Sequence, residues 1–399
     1  MTTSRSRGSR QPLGVAVVGY AFMGKAHSHA WRNVAALRPD AQDVRRQVLV
    51  GRDADAVTVA AFRYGWAESA TDWHEVLERD DIDVVDVCVP GHLHAEVAIA
   101  ALEAGKHVIA EKPLANSLAE AEKMVATARA ARERGVQSMV GFNYRRVPAL
   151  ALARRHVLDG RLGEVRQVRI SYLQDWLADA DAPMTWRLRR ELAGSGALGD
   201  LASHAVDQVR FLLGQEVTGV NALTHTFVPQ REGGSGLEDV TVDDAAWSTL
   251  RTDGGAVVSL EVTRMATARK NALGIEVYGS EGALRFDLES LNHLDVCLDG
   301  ADAFTRVLVT QPDDPYVDGW WPPGHVLGWD ATFVHQASDF VAALAAGEEP
   351  TPSFEDGLAV QRVLAAIEAS AAQDGRHVTV ETAVESGFES GVESGVEDI

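Results

Sequence analysis

At 399 residues, 46% of them hydrophobic, the chain is too long for one comfortable core and is composed like a globular protein, so two domains are expected. With 37 basic against 58 acidic side chains, its formal charge of -21 has no compensating basic stripe, which argues against nucleic acid or an anionic membrane as partner. Only Cys88 and Cys297 are present and no stretch has the apolar length of a bilayer span, so a reducing, cytoplasmic setting without disulfide, signal peptide or membrane segment is expected.

In chain order, residues 1–12 are rich in Arg and Ser and lack apolar surface, which predicts a disordered tail, as do the Glu-Ser-Gly repeats of the acidic segment 384–399. Between them, residues 13–143 alternate β-branched runs with alanine-rich stretches. The runs Gly14 to Val18, Gln47 to Val50, Val84 to Val89, His107 to Ala110 and Val136 to Val140 are read as strands, with helices between them. Ala95 to Ala104 is a helix stopped by Gly105, and Ser117 with Glu120 reads as a capping box. This is the pattern of a Rossmann-type α/β domain with a parallel sheet. Residues 144–329 change to longer polar-apolar alternation, as in Glu164 to Tyr172, Asp244 to Leu250 and Ala256 to Thr263, and predict an α+β domain on an open, mostly antiparallel sheet. Residues 330–383 then supply two amphipathic helices, Asp330 to Ala346 and Glu355 to Ala372, packing on the two domains.

Directly after the first strand stand Gly19, Tyr20, Ala21, Phe22, Met23 and Gly24, opening a helix. Gly19 permits a tight turn, Gly24 close packing, and the free amides of the helix start suit a pyrophosphate. Ala21 replaces the usual middle glycine. At the end of the second strand, where an acid commonly meets the adenosine ribose, stand Gly51 and Arg52, which points to NAD or NADP with a lean to the 2′-phosphate. Asp53 is the alternative ribose acceptor, and Arg52 as a plain surface charge is an equal reading.

The segments Val89-Pro90-Gly91-His92-Leu93-His94, Ala104 to Pro113 with its Glu111-Lys112-Pro113, Gly141 to Pro148, Trp186-Arg187 and Gly194 to His204 resemble the Gfo/Idh/MocA oxidoreductase family. Tyr172 to Trp176 together with Gly194 to His204 is most similar to members that oxidise the 3-hydroxyl of an anhydrosugar such as levoglucosan. The resemblance implies catalytic roles for Lys112, Asp200 and His204. It implies cofactor contacts on Tyr20 to Met23, Pro90, His94, Glu111, Lys112, Asn143, Trp186 and Arg187. It also implies a homo-oligomer, dimer or tetramer, associating through the outer face of the second sheet. Gly91 departs from a common asparagine and Trp329 from a tyrosine.

Oxidation of a secondary alcohol needs a base near neutrality, which suits His204, and a cation against the developing alkoxide, which suits Lys112. Asp200 and His204, four apart, are expected on one helical face, with the carboxylate orienting the imidazole and Lys112 acting without shifting its titration. Tyr144, Gln174, Trp176 and Arg264 are expected to line a pocket for a polyhydroxylated ring: a sugar, anhydrosugar or inositol. His27, His29, His92 and His94 read as lying on separate elements without nearby carboxylates, so no metal is expected. The competing functions are a keto-sugar or imine reductase of secondary metabolism and a non-catalytic dinucleotide-sensing regulator.

Overall fold

The computed structural model describes residues 11–37, 42–234 and 236–381. The expected tails at 1–12 and 384–399 lie outside them, apart from residues 11 and 12.

The first unit runs β1 (Leu13–Val18), α1 (Phe22–Leu37), β2 (Val44–Val50), α2 (Ala54–Tyr64), β3 (Glu68–Ala70), α3 (Trp73–Leu77), β4 (Val84–Val87), α4 (His94–Glu103), β5 (His107–Ala110), α5 (Leu118–Arg132) and β6 (Ser138–Val140). All six residues of β1 and all four of β4 are buried, because helices cover both faces of a parallel sheet. The strand order is β3-β2-β1-β4-β5-β6, so the chain reverses direction between β1 and β4, where such sheets open a ligand crevice beyond their strand ends. β3 has one apolar residue in three and gave no sequence signal. The Ser117 cap differs from the expected box: its hydroxyl accepts from the Glu120 amide but donates to the Glu120 carboxylate, so that carboxylate closes on the hydroxyl.

The second unit begins with α6 (Pro148–Leu158) and β7 (Val165–Leu173), continues through α7 (Arg190–Ala193) and α8 (Ser203–Leu213), and then gives β8 (Val217–His225). A short hairpin of β9 (Gln230–Gly233) and β10 (Gly236–Asp239) follows. After it come β11 (Ala245–Thr252), β12 (Val257–Thr263), β13 (Ala272–Gly279), β14 (Ala283–Asp287), β15 (His293–Cys297) and β16 (Thr305–Leu308). The chain closes with α9 (Ala331–Ala346), α10 (Phe354–Ala371) and β17 (Val378–Thr379). The nine-stranded sheet has the order β16-β15-β14-β13-β7-β12-β11-β8-β17 and is antiparallel except for the β7–β12 pair. Its strands alternate buried and exposed residues, as a sheet packed on one face requires.

One core joins the two units, running from Val18, Val85 and Val108 through Phe142, Val206 and Leu364 to Ile170 and Leu260. On the other face of the first sheet, Phe333, Val334, Phe340 and Val341 of α9 pack with Val15, Trp31, Val34 and Leu49. The two last helices thus pack on both units: α9 against α1, and α10 against α5 and β8.

Candidate functional site

The phosphate turn has the backbone its sequence demands. Gly19 sits at a φ of 112°, which a side chain would strain, and a Cβ on Gly24 would collide with the Gly19 carbonyl oxygen. α1 starts at Phe22, so its first amides point at the turn. Phe22 is 65% exposed and stacks on Trp329, ring centroids 5.6 Å apart and 13° from parallel. The indole that stands in the unexpected position therefore forms one wall with the loop. At the end of β2, Gly51 has a steric cause: a Cβ there would strike the Tyr20 ring. Arg52 is exposed, while Asp53 caps α2 by accepting from the Ala56 amide at 2.9 Å. Gly91 is likewise bare for a reason, since a Cβ would meet Asn116 Oδ1, a buried oxygen with no hydrogen-bond partner. The Gly19 turn with the free amides of α1 fits a pyrophosphate, and the orphaned Asn116 acceptor at the bare Gly91 turn is open to a further polar partner.

β5 ends at Ala110, and the cis Lys112–Pro113 bond follows. The Lys112 ammonium donates to Asp200 Oδ1 at 3.0 Å and to the Asp200 carbonyl at 2.9 Å. Burial pushes the Asp200 carboxyl up, but Lys112, Arg264 and Arg187 together outweigh it and hold the pKa at about 2. Residues Leu198–Ala202 form a π-turn that runs directly into α8. Asp243 anchors its start, accepting from the amides of Gly196 at 2.7 Å and Leu198 at 2.8 Å.

That wider turn leaves the expected Asp200–His204 pair without a hydrogen bond, although the Asp200 charge still acts on the imidazole. In an i to i+5 turn, residues four apart no longer stack as they do on an α-helix. Asp200 turns to Lys112, and His204 Nδ1 is buried with no hydrogen-bond partner. His204 is instead positioned by rings: Tyr144 at 4.6 Å, Tyr172 at 6.0 Å and Phe142 at 6.1 Å between centroids. Burial and then the Lys112 charge lower its pKa well below 6.5 against the opposing pull of Asp200. Lys112 therefore does shift the histidine's titration, contrary to the sequence reading.

Beside His204, side chains from four elements share a polar web. Tyr144 and Tyr172 hydroxyls lie 2.9 Å apart, Tyr172 donates to Asn271 Oδ1 at 2.6 Å, and Gln174 donates to the same oxygen at 2.8 Å. Trp176 donates to Gln174 Oε1 at 3.0 Å, and Trp329 donates to the Tyr144 hydroxyl at 3.3 Å. The Arg264 guanidinium is buried 5.4 Å from the Trp176 ring centroid, donates to the Asp243 carbonyl, and keeps its Nε without a partner. Of the four sequence-selected pocket residues, Tyr144 packs on the His204 ring, Gln174 and Trp176 extend from it through the web, and Arg264 lies by Trp176 and Asp200. Tyr172, Asn271, Asp243 and Asn116 were not selected as site residues: Tyr172 stood only at the end of an alternating strand and at the start of the segment that runs to Trp176, and the others carry no local motif.

The remaining candidates divide. Pro90 begins the turn before α4, and Asn143 is buried and donates to Thr332 Oγ1 at 2.8 Å. Arg187 stacks over the Trp186 ring at 4.5 Å, near enough to Asp200 to influence it, so this pair lies toward the catalytic end. His94 is buried with its ring nitrogens 3.0 Å from the Pro113 carbonyl and 2.9 Å from that of Val89, bracing the lysine turn. His27 needs a correction: far from lacking carboxylates, it lies between Asp86 and Glu111.

Residues 13–142 match the model of the oxidoreductase family with an NAD-binding Rossmann fold, and residues 150–285 that of the GFO/IDH/MocA C-terminal domain. The chain is 40% identical to levoglucosan dehydrogenase from Pseudarthrobacter phenanthrenivorans, over 91% of this chain and 97% of that one. Among solved structures, an oxidoreductase domain protein from Kribbella flavida superposes with a TM-score of 0.91 at 52% identity, covering 94% of this chain and all of that one. Levoglucosan dehydrogenase in complex with NADH and levoglucosan superposes with a TM-score of 0.89 at 40% identity, covering 93% and all of the respective chains.

Proposed function

The chain belongs to the Gfo/Idh/MocA oxidoreductase family, and from that membership and the site above we propose that it oxidises a ring hydroxyl of an anhydrosugar of the levoglucosan type, at the 3-position, with pyranoses and inositols as the wider substrate class. The observation that carries this is the buried His204 imidazole, held neutral at neutral pH by burial and the Lys112 charge and packed on Tyr144 and Tyr172, from which the web of Gln174, Asn271 and Trp176 extends. Ring faces cover sugar C–H surfaces while amides and hydroxyls bond hydroxyl groups.

The nicotinamide cofactor supplies the hydride acceptor when bound. Gly19 to Gly24 and the first α1 amides would hold its pyrophosphate, and Pro90, Glu111, Asn143 and Asn116 would contact it. Lys112 donates to the substrate hydroxyl and steadies alkoxide charge, and His204 takes the hydroxyl proton. Asp200 aims Lys112, accepting from its ammonium through both the carboxylate and the backbone carbonyl. Arg52 is the guanidinium for a 2′-phosphate, and the second oxygen of Asp53 is the acceptor for a 2′-hydroxyl, so both NAD and NADP are used.

Among the described residues no helix is long and apolar enough to cross a membrane. A cytoplasmic homo-oligomer, joined through the outer face of the nine-stranded sheet with its exposed Leu223, Trp247 and Val257, fits the chain's composition and surface. Light scattering reads that state directly.

The deciding experiment incubates the purified chain with NAD or NADP and a panel of levoglucosan, pyranoses, inositols, hydroxy acids and simple alcohols, following the reduced nicotinamide. Turnover of the ring polyols, levoglucosan foremost, is expected. Turnover confined to hydroxy acids or simple alcohols overturns the proposal.

A further inference from the structure

A second histidine, unused by the chemistry above, is bonded to the residue that precedes the lysine. His27 sits on α1 just past Gly24 and is fully enclosed. Its Nδ1 lies 2.9 and 2.8 Å from the two Asp86 oxygens, and its Nε2 lies 2.9 Å from Glu111 Oε1. One turn along the same helix, Trp31 Nε1 donates to Asp86 Oδ2 at 2.6 Å. Glu111 is the residue immediately before Lys112, and its carboxylate is confined from the other side: a Cβ on Gly141 would stand 2.8 Å from Glu111 Oε1.

We propose that His27 is a positioning residue for Lys112, an imidazolium strut that ties the phosphate-loop helix to the turn carrying the lysine. Both ring nitrogens face carboxylate oxygens, and only the doubly protonated ring donates at both. Burial is the largest single effect and opposes the charge, but Asp86 and Cys88 together outweigh it and hold the pKa well above 6.5. The groups facing the ring are Asp86 from β4, Cys88 just after it, Glu111 after β5 and the Phe333 ring of α9 at 5.3 Å, with Trp31 of α1 bonded to Asp86.

Two other readings fail. His27, Asp86 and Cys88 bring three possible metal donors within 4.8 Å of one another. However, both imidazole nitrogens are taken by carboxylates, and burial drives the Cys88 thiol far above its usual range, so no thiolate is offered. As a packing device alone, a buried charged triad gains nothing over apolar residues of similar volume. Its value lies in direction, since α1 begins at the phosphate turn and Glu111 leads into Lys112. Fixing Glu111 fixes the backbone from which the ammonium reaches Asp200 and His204.

The inference rests on Lys112 acting beside His204, whose surroundings are Lys112, Asp200, Tyr144 and Tyr172, with Arg264 and Arg187 behind Asp200. The test is His27→Gln, which keeps one polar arm and loses the charge. NADH affinity is read by fluorescence titration, kcat and KM for the sugar by steady-state rates, and the acid limb of kcat across pH. With the strut gone, Lys112 draws back and no longer depresses His204. The acid limb is then expected to move up in pH and kcat at neutral pH to fall about tenfold or more, with NADH Kd within about threefold. An unmoved limb overturns the proposal, as does NADH affinity lost by more than kcat, which would make His27 a support of the phosphate turn alone. If the Gln variant fails to fold, Trp31→Phe keeps the ring and removes the Asp86 donor. It must move the limb in the same direction by less, and no movement overturns the strut. In the wild-type protein without cofactor, nitrogen NMR of labelled histidine must show both His27 nitrogens protonated at neutral pH, and a neutral ring overturns it too. Lys112→Met separates the two claims: normal turnover in that variant removes the lysine's role itself, whereas failure of the His27 variants alone removes only the strut.

Discussion

His204 is buried, the Lys112 cation is the strongest charge acting on it, and its Nδ1 has no hydrogen-bond partner, an arrangement that keeps a histidine neutral. The sign of its pH dependence follows. Burial and Lys112 hold its pKa below 6.5, so the proton-accepting form is complete at neutral pH and activity falls only as pH drops through that lowered value. His204→Ala should lower kcat by ~10²–10⁴ while leaving NADH Kd unchanged, measured by steady-state rates and fluorescence titration. Normal turnover would remove its role as base. Lys112→Met should cost similarly, and should also move the acid limb upward toward 6.5, because the cation that depresses His204 is gone. A pH profile with an unmoved limb would place the two groups too far apart to interact. The residue types of this site were legible because Glu111-Lys112-Pro113 and Asp200 to His204 are contiguous motifs. The partner of each was not, since α-helical spacing assumes a turn that the π-turn at Leu198–Ala202 does not have.

The phosphate turn shows why position outweighs letters in such a motif. Gly24 is required by the Gly19 carbonyl, and Gly51 by the Tyr20 ring. Gly24→Ala should therefore push α1 off its turn and weaken NADH by about tenfold or more, with sugar-independent fluorescence as readout. Unchanged affinity would mean that the cofactor does not use that helix start. Arg52→Ala should weaken NADP by about tenfold and leave NAD within about twofold, and equal loss for both would make Arg52 a plain surface charge. The β-branched runs located β1, β2, β4, β5 and β6 within a few residues because buried parallel strands must be apolar throughout. β3 escaped because three edge residues bury too little to need such a run. The partners of Tyr144 in the polar web escaped for a different reason: Tyr172 stands 28 residues from it and Asn271 a further 99, and only the tertiary fold brings the three together.

Helix α9 comes last but one among the helices in the chain, yet it completes the core of the first unit. Phe333, Val334, Phe340 and Val341 close one face of the sheet that begins at Leu13. The same helix is fastened to the junction between the units, where Asn143 donates to Thr332 at 2.8 Å and Arg146 donates to Asp339 at 2.9 Å. From the other side Trp329 donates to Tyr144, which lies in the pocket against His204. The first unit therefore has no complete core without a segment that follows the whole second unit, and the two should unfold together. Phe340 is fully buried in that seam. Phe340→Ala should cost ~3–5 kcal/mol, the usual price of deleting an enclosed phenyl ring. Calorimetry should then show one transition at a lower temperature, moved back up by saturating NADH because the ligand binds only the folded chain. If the variant instead split into two transitions, with the second unmoved, α9 would be an appendage of the first unit and the joint core would carry no cooperativity between them.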